Sequence, residues 1–323
     1  MNDRQVKVAI VGAGPGGLSA AARAAETGVS HVLLEASPQI ANTIFKYQKG
    51  KHVMDEPGVL PLRASVGFVA GTREAILKAW EDGLSRHRVN VRRAAEVTAI
   101  AGSRGNFEVR LADGDCYQAG YVILAIGMQG NLRRMEVPGD SLPFVQYQLD
   151  DPDAYVAETI VVVGAGDAAI ENALALARQN SVIILNRRDE FARAKDGNIK
   201  LISRASESGE LECRYDTAPT GVEALPPGHD SGRRMRLAVK SKDGPAEIFC
   251  DRIIARLGAM APRGFVEACG VQFPSKDPNA IPVVSPQYES NVPGLFIIGA
   301  LAGYPLIKQC MNQGHEVIEY IEG

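Results

Sequence analysis

Short aliphatic runs alternate along the chain with longer Ala- and Leu-rich stretches. Val8-Ala9-Ile10-Val11 leads into Gly12-Ala13-Gly14-Pro15-Gly16-Gly17, then into a stretch of helical period from Leu18 to Thr27. Val32-Leu33-Leu34 follows and ends at Glu35 and Ala36. Apolar runs this short are too brief for helices and read as buried strands, whereas the stretch between them repeats at the helical spacing. The pattern predicts strand, glycine turn, helix, strand, which is a βαβ unit with parallel strands.

The same order recurs at an offset of 152, the step from Gly12 to Gly164. Ile160 to Val163 leads into Gly164-Ala165-Gly166-Asp167-Ala168-Ala169, an Ala/Leu-rich helix runs through Arg178, and Val182 to Leu185 closes the unit at Asn186-Arg187-Arg188. A different period holds from Arg92 to Val122, where Val97, Ile100, Phe107, Val109 and Leu111 alternate with polar residues around Gly102 to Asn106 and Asp113-Gly114. A similar pattern runs from Arg234 to Ile254 around Lys242-Asp243-Gly244. Both predict antiparallel hairpins, so each domain is expected to carry a small antiparallel sheet.

Pro138-Gly139, Pro143 and Asp151-Pro152 punctuate the entry to the second unit, and Gly258 to Gly264 its exit. The C-terminal piece holds the strand Leu295 to Ile298, a glycine-rich turn and a helix from about Ile307. One strand and one helix cannot bury themselves, so they are expected to return to the first domain and leave the second as an insertion. The fold class expected is α/β, with two Rossmann-like three-layer dinucleotide-binding domains. One spans residues 1–140 and 264–323, the other 141–263.

The length of 323 residues suits two domains, because single cores stop growing near about 250 to 300 residues. Hydrophobic residues at 46% and charged residues at 23% match an ordinary globular protein and exclude long disorder. A net charge of -3 offers a polyanion nothing, so no nucleic acid is expected, and no apolar run approaches the ~18 residues of a membrane span. The five cysteines form no CxxC and no metal spacing with histidine, which points to reduced thiols, no metal and a cytoplasmic location.

The glycine turns carry the chemistry. Gly12, Gly14 and Gly17 lie between a strand and a helix, and Glu35 follows Gly12 by 23 residues at the end of the next strand. In this fingerprint the first glycine permits the turn, the second lets backbone reach a pyrophosphate, the third packs the helix on the strand, and the acid takes ribose hydroxyls. Gly164, Gly166, Asp167 and Ala168 form the second turn, which ends in the permitted Ala169. Arg187 and Arg188 stand where the first unit has its carboxylate; guanidinium groups bind a 2′-phosphate, so NADPH is favoured over NADH. Two such sites in one chain suggest a flavin and a nicotinamide brought together for hydride transfer.

These motifs resemble the two-dinucleotide-binding-domain flavoproteins, and within them the low-molecular-weight thioredoxin reductase-like group, over nearly the whole chain. Asn186-Arg187-Arg188-Asp189-Glu190-Phe191 resembles that group's HRRDxF run, which grips the 2′-phosphate of NADPH, with Asn186 in place of His. Ala125-Ile126-Gly127 resembles the ATG motif behind the flavin, and Gly258 to Pro262 its counterpart in the other domain. Lys308-Gln309-Cys310 is similar to the RQA run after the ribityl-binding turn, and Gly299 and Ala300 stand where many members have Gly-Asp. The resemblance implies that FAD lies along Gly12 to Gly17, Pro15 and Gly16 included, with Glu35 and Ala36 beyond. It further implies Val97 at the adenine, Asn42 and Val53 in the loop lining the isoalloxazine, and Gly127 behind it. Ala300 would remove a usual hydrogen bond to the ribityl chain.

Thioredoxin reductases carry CxxC before the second glycine turn, yet residues 141–163 hold no cysteine; bacillithiol-disulfide reductase-like members carry one cysteine where Gly16 stands here. The remaining likeness is to the ferredoxin or flavodoxin NADP reductases of the group, through Val145-Gln146-Tyr147 to Asp151-Pro152. It implies hydride transfer from NADPH to FAD, electron transfer to an iron-sulfur ferredoxin or a flavodoxin, and a homodimer. The chain closes at Gly323, so the C-terminal extension that shields the flavin in those enzymes is expected to be absent. Gly299 to Gly314 also resembles reductase modules fused to cyclic-nucleotide-binding and ferredoxin domains. An NADPH oxidase or quinone reductase, and a redox or nucleotide sensor, remain as alternatives. Cys310, His52 and His315 could exchange thiols or protons, although buried or solvated structural roles are commoner for such residues. The basic stretch Arg86 to Arg93 could dock an acidic ferredoxin, but a solvated surface is the simpler reading.

Overall fold

The computed structural model describes residues 4–56, 58–128, 131–192, 194–277 and 280–323. The chain divides into two compact units, Met1–Asn131 with Met260–Gly323, and Leu132–Ala259. The first begins with β1 (Gln5–Val11), α1 (Pro15–Glu26) and β2 (His31–Leu34), and β1 runs parallel to β2 with Val8 opposite His31. A single turn, α2 (Asn42–Phe45), and a long helix, α3 (Arg73–His87), precede β3 (Val91–Arg92). The pattern of the sequence did not predict α3, because its buried stripe of Ile76, Trp80, Gly83 and Leu84 is narrow among charged residues. Two features fix it. Thr72 caps its N-terminus by accepting from the N–H of Ala75, and Trp80, wholly buried, donates its indole N–H to the carbonyl of Gly67.

Three long strands follow: β4 (Val97–Ser103), β5 (Asn106–Leu111) and β6 (Cys116–Leu124). They are the expected hairpins, but they do not form a separate sheet. The sheet runs β3-β2-β1-β6-β5-β4, because β6 changes partner along its length. One edge of β6 pairs parallel with β1, while on the other its N-terminal half holds β5 antiparallel from Cys116 to Ala119.

In the second unit, β7 (Val145–Gln146), β8 (Thr159–Val163), α4 (Asp167–Ala177), β9 (Ser181–Leu185), α5 (Asp196–Glu207) and β10 (Glu212–Arg214) come first. The antiparallel strands β11 (Ala218–Ala224), β12 (Met235–Ser241) and β13 (Gly244–Cys250) follow, then β14 (Arg252–Ala255). The parallel sheet has the order β7-β14-β8-β9-β10, and β11-β12-β13 is a sheet of its own. Strand periodicity sorts the core into two layers. Ile160 and Val162 of β8 face Ile170 and Leu176 of α4, whereas Val161 and Val163 face Met235 and Leu237 of the antiparallel sheet. Segment 132–140 belongs to this unit as well: the N–H of Val222 donates to the carbonyl of Pro138, and Tyr147 donates to the Asp140 carboxylate at 3.0 Å.

The chain then returns to the first unit with α6 (Arg263–Ala268), β15 (Leu295–Ile297) and α7 (Ile307–Glu322). β15 adds in parallel to the C-terminal half of β6, Leu295 opposite Val122, so the terminal strand and helix complete the first core. Val8 and Ile10 of β1 face a layer of α1, α3 and α7, while Val6, Ala9 and Val11 face the side that holds α6. α7 lies so close to α1 that Ser19 donates to the carbonyl of Met311 at 2.6 Å. Among the described residues no helix is long and apolar enough to cross a membrane.

Candidate functional site

Each glycine turn lies at the C-terminal end of a central parallel strand, where α/β sheets open their ligand crevices. Gly12 has φ +99°, and a Cβ on it would come within 2.7 Å of the carbonyl oxygen of Ala125. Gly17 admits no side chain either, since a Cβ there would overlap the Gly12 carbonyl. Gly14 is the open one: its nearest neighbour on that side is Ala125 O at 3.8 Å. α1 starts there with Pro15 at its first position, no side-chain cap and no acid in its first turn. Its free N–H groups and positive dipole end suit an anion.

Glu35 is 92% buried, and both carboxylate oxygens hold backbone. Oε2 accepts from the N–H of Ala13 at 2.8 Å and Oε1 from the N–H of Ser37 at 2.9 Å. The acid therefore braces the turn, and the second lone pair on each oxygen is left for other donors. Ala36 beside it is exposed, and Val97 is half-buried at the start of β4.

The segment after β2 is fixed at both ends. The N–H of Ala41 donates to the carbonyl of Ala13, which sets Asn42 and α2 beside the glycine turn. Further on, Val53 is buried in a two-residue pair with Gly71, and Lys308 pairs with Asp55 at 2.8 Å. Asn312 of α7 accepts from the N–H of Arg63 at 2.8 Å and donates to the carbonyl of Pro61 at 2.9 Å.

Gly299, with φ +76°, opens a 3-10 turn, Gly299–Ala302, that contains the half-buried Ala300. No carboxylate stands at position 300. The backbone there is held instead by Gln313, whose Oε1 accepts from the Gly299 N–H at 2.7 Å; its Nε2 is buried without a partner among the described residues. Gln309 is half-buried in the first turn of α7, Gly127 has φ +62°, and Gly16 fits between Ile298 and the Cys310 carbonyl, 3.1 Å from where its Cβ would be. Burial pushes the Cys310 thiol up to about 11, and it donates to the carbonyl of Tyr304 at 3.1 Å.

Gln313, Asn312 and Asp55 do not stand out in the sequence. For Asn312 and Gln313 the one signal there is that, with Lys308 and His315, they recur at helical spacing along α7; Asp55 has none. His315 sits 3.1 Å from Glu319, and His52 is exposed. Much of the basic stretch faces acids: Arg92 pairs with Asp113 and Asp115 at 2.6 Å each, Arg93 pairs with Glu81 at 2.6 Å, and His87 sits 3.3 Å from Glu26.

The second turn repeats the first. Gly164 has φ +140°, and a Cβ on it would overlap the carbonyl of Arg256, as Gly12 meets Ala125. Ala125 to Gly127 and Arg256 to Gly258 are thus structural counterparts, each ending in a glycine of positive φ. Ala169 replaces the third glycine because α4 stands far enough from β8 to admit a methyl group, 3.3 Å from a Cβ placed on Gly164. Gly166 is open on its Cβ side, Ala168 is half-buried, and α4 has no side-chain cap. Asp167 holds the start of α5, Oδ1 accepting from the N–H of Lys195 at 2.9 Å and from Asn198 Nδ2 at 2.7 Å. Arg187 and Arg188 are exposed, and neither guanidinium has a partner among the described residues. One unit thus presents an uncapped helix beside a carboxylate, the other an uncapped helix beside two exposed cations. Among the described residues no cluster suits a metal.

Known proteins are similar to this chain. The family model described as pyridine nucleotide-disulphide oxidoreductase matches residues 9–299. A ferredoxin–NADP reductase of Ignicoccus hospitalis is 29% identical over 311 residues, covering 92% of this chain and 90% of the relative. One from Gluconobacter oxydans is 29% identical over 319 residues, covering 95% and 88%. Among solved structures, a bacillithiol disulfide reductase from Bacillus cereus superposes with a TM-score of 0.85 at 22% identity, covering 98% of both chains. A thioredoxin reductase from Lactococcus lactis does so with a TM-score of 0.79 at 22% identity and the same coverage. At that identity the two structures speak for the fold alone.

Proposed function

The chain belongs to the pyridine nucleotide-disulphide oxidoreductase family, and from that premise we propose that it is an NADPH-dependent flavin oxidoreductase whose electrons pass on to an iron-sulfur ferredoxin or a flavodoxin. The observation that carries the reading is the contrast between two repeated turns, one beside the carboxylate of Glu35 and one beside the exposed Arg187 and Arg188. A carboxylate suits ribose hydroxyls and repels a 2′-phosphate; guanidinium groups do the reverse.

When bound, FAD supplies the conversion between a two-electron hydride donor and one-electron carriers. The chain's own residues bind and orient. In the first unit the free N–H groups of α1 would hold the pyrophosphate and Glu35 the adenosine ribose, with backbone at Gly299–Ala302 and Lys308 to Cys310 left for the flavin end. In the second, the N-terminus of α4 would hold the NADPH pyrophosphate and the two arginines its 2′-phosphate.

The choice of acceptor is supported by the names of the relatives, which cover nine-tenths of the chain, and by the thiols. There is no CxxC, and burial pushes the Cys310 thiol up to about 11, which leaves it neutral and a poor nucleophile at pH 7. Rapid mixing with NADPH, followed by cytochrome reduction with and without ferredoxin, tests the reading. A flavin band near ~450 nm that bleaches within about a second, and a cytochrome rate that needs ferredoxin, are the expected results. A rate indifferent to ferredoxin would point to a small-acceptor reductase, and a flavin that stays oxidised for minutes to a sensor.

A further inference from the structure

The segment that carries Arg187 and Arg188 leaves β9 and runs as bends through Glu190. Left to itself, such a segment would sample many backbone conformations and place its guanidinium groups differently in each. Its first residue prevents this. Asn186 is 1% exposed, and both ends of its amide bond within the bend: Nδ2 donates to the carbonyl of Glu190 at 2.8 Å, and Oδ1 accepts from the N–H of Arg188 at 3.0 Å. The backbone of Asn186 is tied separately. Its N–H donates to the carbonyl of Arg214, and its own carbonyl accepts from the N–H of Thr217, both at 2.9 Å. The N–H of Asp216 donates to the carbonyl of Arg188 at 3.1 Å, and the buried Phe191 anchors the far end, its ring edge-on to Tyr215 at 5.6 Å.

We propose that Asn186 is a positioning residue that sets nucleotide specificity, its amide holding the backbone of Arg187 and Arg188 in the shape that receives a 2′-phosphate. The inference rests on the reading of this unit as the NADPH site. Asn186 is too deeply buried to touch the nucleotide, so it acts only through the bend. A side chain without the amide would leave the Arg188 N–H and the Glu190 carbonyl unpaired, and the bend would relax. The charges would remain, but paired hydrogen bonds from guanidinium to phosphate need the groups in place and not merely near. NADH has no 2′-phosphate and would not register the change.

The test compares N186A, N186S and the double variant R187A/R188A in the FAD-loaded full chain, with NADPH and NADH titrated by quenching of flavin fluorescence. N186A should weaken NADPH by about tenfold and change NADH by less than about twofold. N186S should fall between N186A and the parent, because a serine hydroxyl can still accept from the N–H two residues on. The proposal is overturned if N186A binds NADPH as the parent does, or if both nucleotides weaken equally, which is what a merely structural role would give. Should N186A fail to fold, N186S is read by the same criteria. If R187A/R188A leaves the ratio of the two affinities unchanged, the underlying NADPH reading fails. If that ratio collapses while both Asn186 variants keep it, this inference alone fails.

Discussion

Glu35 Oε2 accepts a hydrogen bond from the N–H of Ala13 at 2.8 Å, so the acid at the end of β2 is part of the glycine turn that it faces. Because Oε1 accepts from the N–H of Ser37, both oxygens face donors. Glu35→Gln has one acceptor oxygen and must turn its NH2 toward one of those N–H groups. The turn should lose about 1 to 3 kcal/mol, the cost of leaving a buried donor unpaired. Gel filtration should show less FAD retained, and the thermal midpoint should fall. Unchanged retention and midpoint would mean that the turn does not depend on this brace.

Removal of Arg187 and Arg188 should weaken NADPH binding by about 1.5 to 3 kcal/mol for each charged hydrogen bond that disappears, and NADH binding by almost nothing. Because both groups are exposed, the parent's NADPH affinity should fall with rising salt, and the double variant should show a flatter slope. Equal salt slopes for parent and variant would remove the arginines from the phosphate site.

Gly314 lies where α7 crosses α1. A Cβ there would overlap the carbonyl of Gly16 and sit 2.9 Å from the N–H of Ala20. Helix propensity alone would make Gly314→Ala stabilising by about 1 kcal/mol, but the overpacking should reverse the sign and destabilise by about 1 to 3 kcal/mol. Gly197 in α5 is the control, since nothing lies within 4 Å of a Cβ built on it; Gly197→Ala should be neutral or mildly stabilising. Thermal melts of the two variants should move in opposite directions. A stabilised Gly314→Ala would show that the helices can separate without cost.

The parts of the architecture that rest on local pattern were legible in the sequence. Gly12 and Gly164 announced the two turns because only a positive φ fits there, and Asp113-Gly114 and Lys242-Asp243-Gly244 announced hairpins by turn chemistry. What failed was whatever depends on a distant partner. The attachment of β5 and β15 to the two halves of β6 cannot be read from alternation, which fixes the faces of a strand but not its neighbours. Asn312 finds Arg63, and Gln313 finds Gly299, only after α7 has docked. Asn186 stood out as a departure from a familiar run, yet its bonds to Glu190 and Arg188 follow from the fold of the bend.

The thiols give a prediction in alkali. Burial pushes Cys250 up to about 12 and Cys269 and Cys310 up to about 11, above the ordinary value of 9.0. A folded-state pKa raised above the unfolded one means that the native protein holds protons that the unfolded chain releases. Stability is then fully present below pH 9 and falls as the pH rises from about 9 through about 11 for Cys269 and Cys310 and about 12 for Cys250, since the native state binds more protons across that window. Thermal midpoints at pH 8, 9 and 10 should therefore be flat at first and then drop. At pH 8 a thiol reagent should find at most Cys116 and Cys213 in the native protein, both half-buried, and all five cysteines after unfolding. Cys310→Ser should keep its rate of flavin reduction by NADPH. Rapid native-state labelling of Cys310, or a rate in Cys310→Ser that collapses, would assign that sulfur a chemical role which its burial argues against.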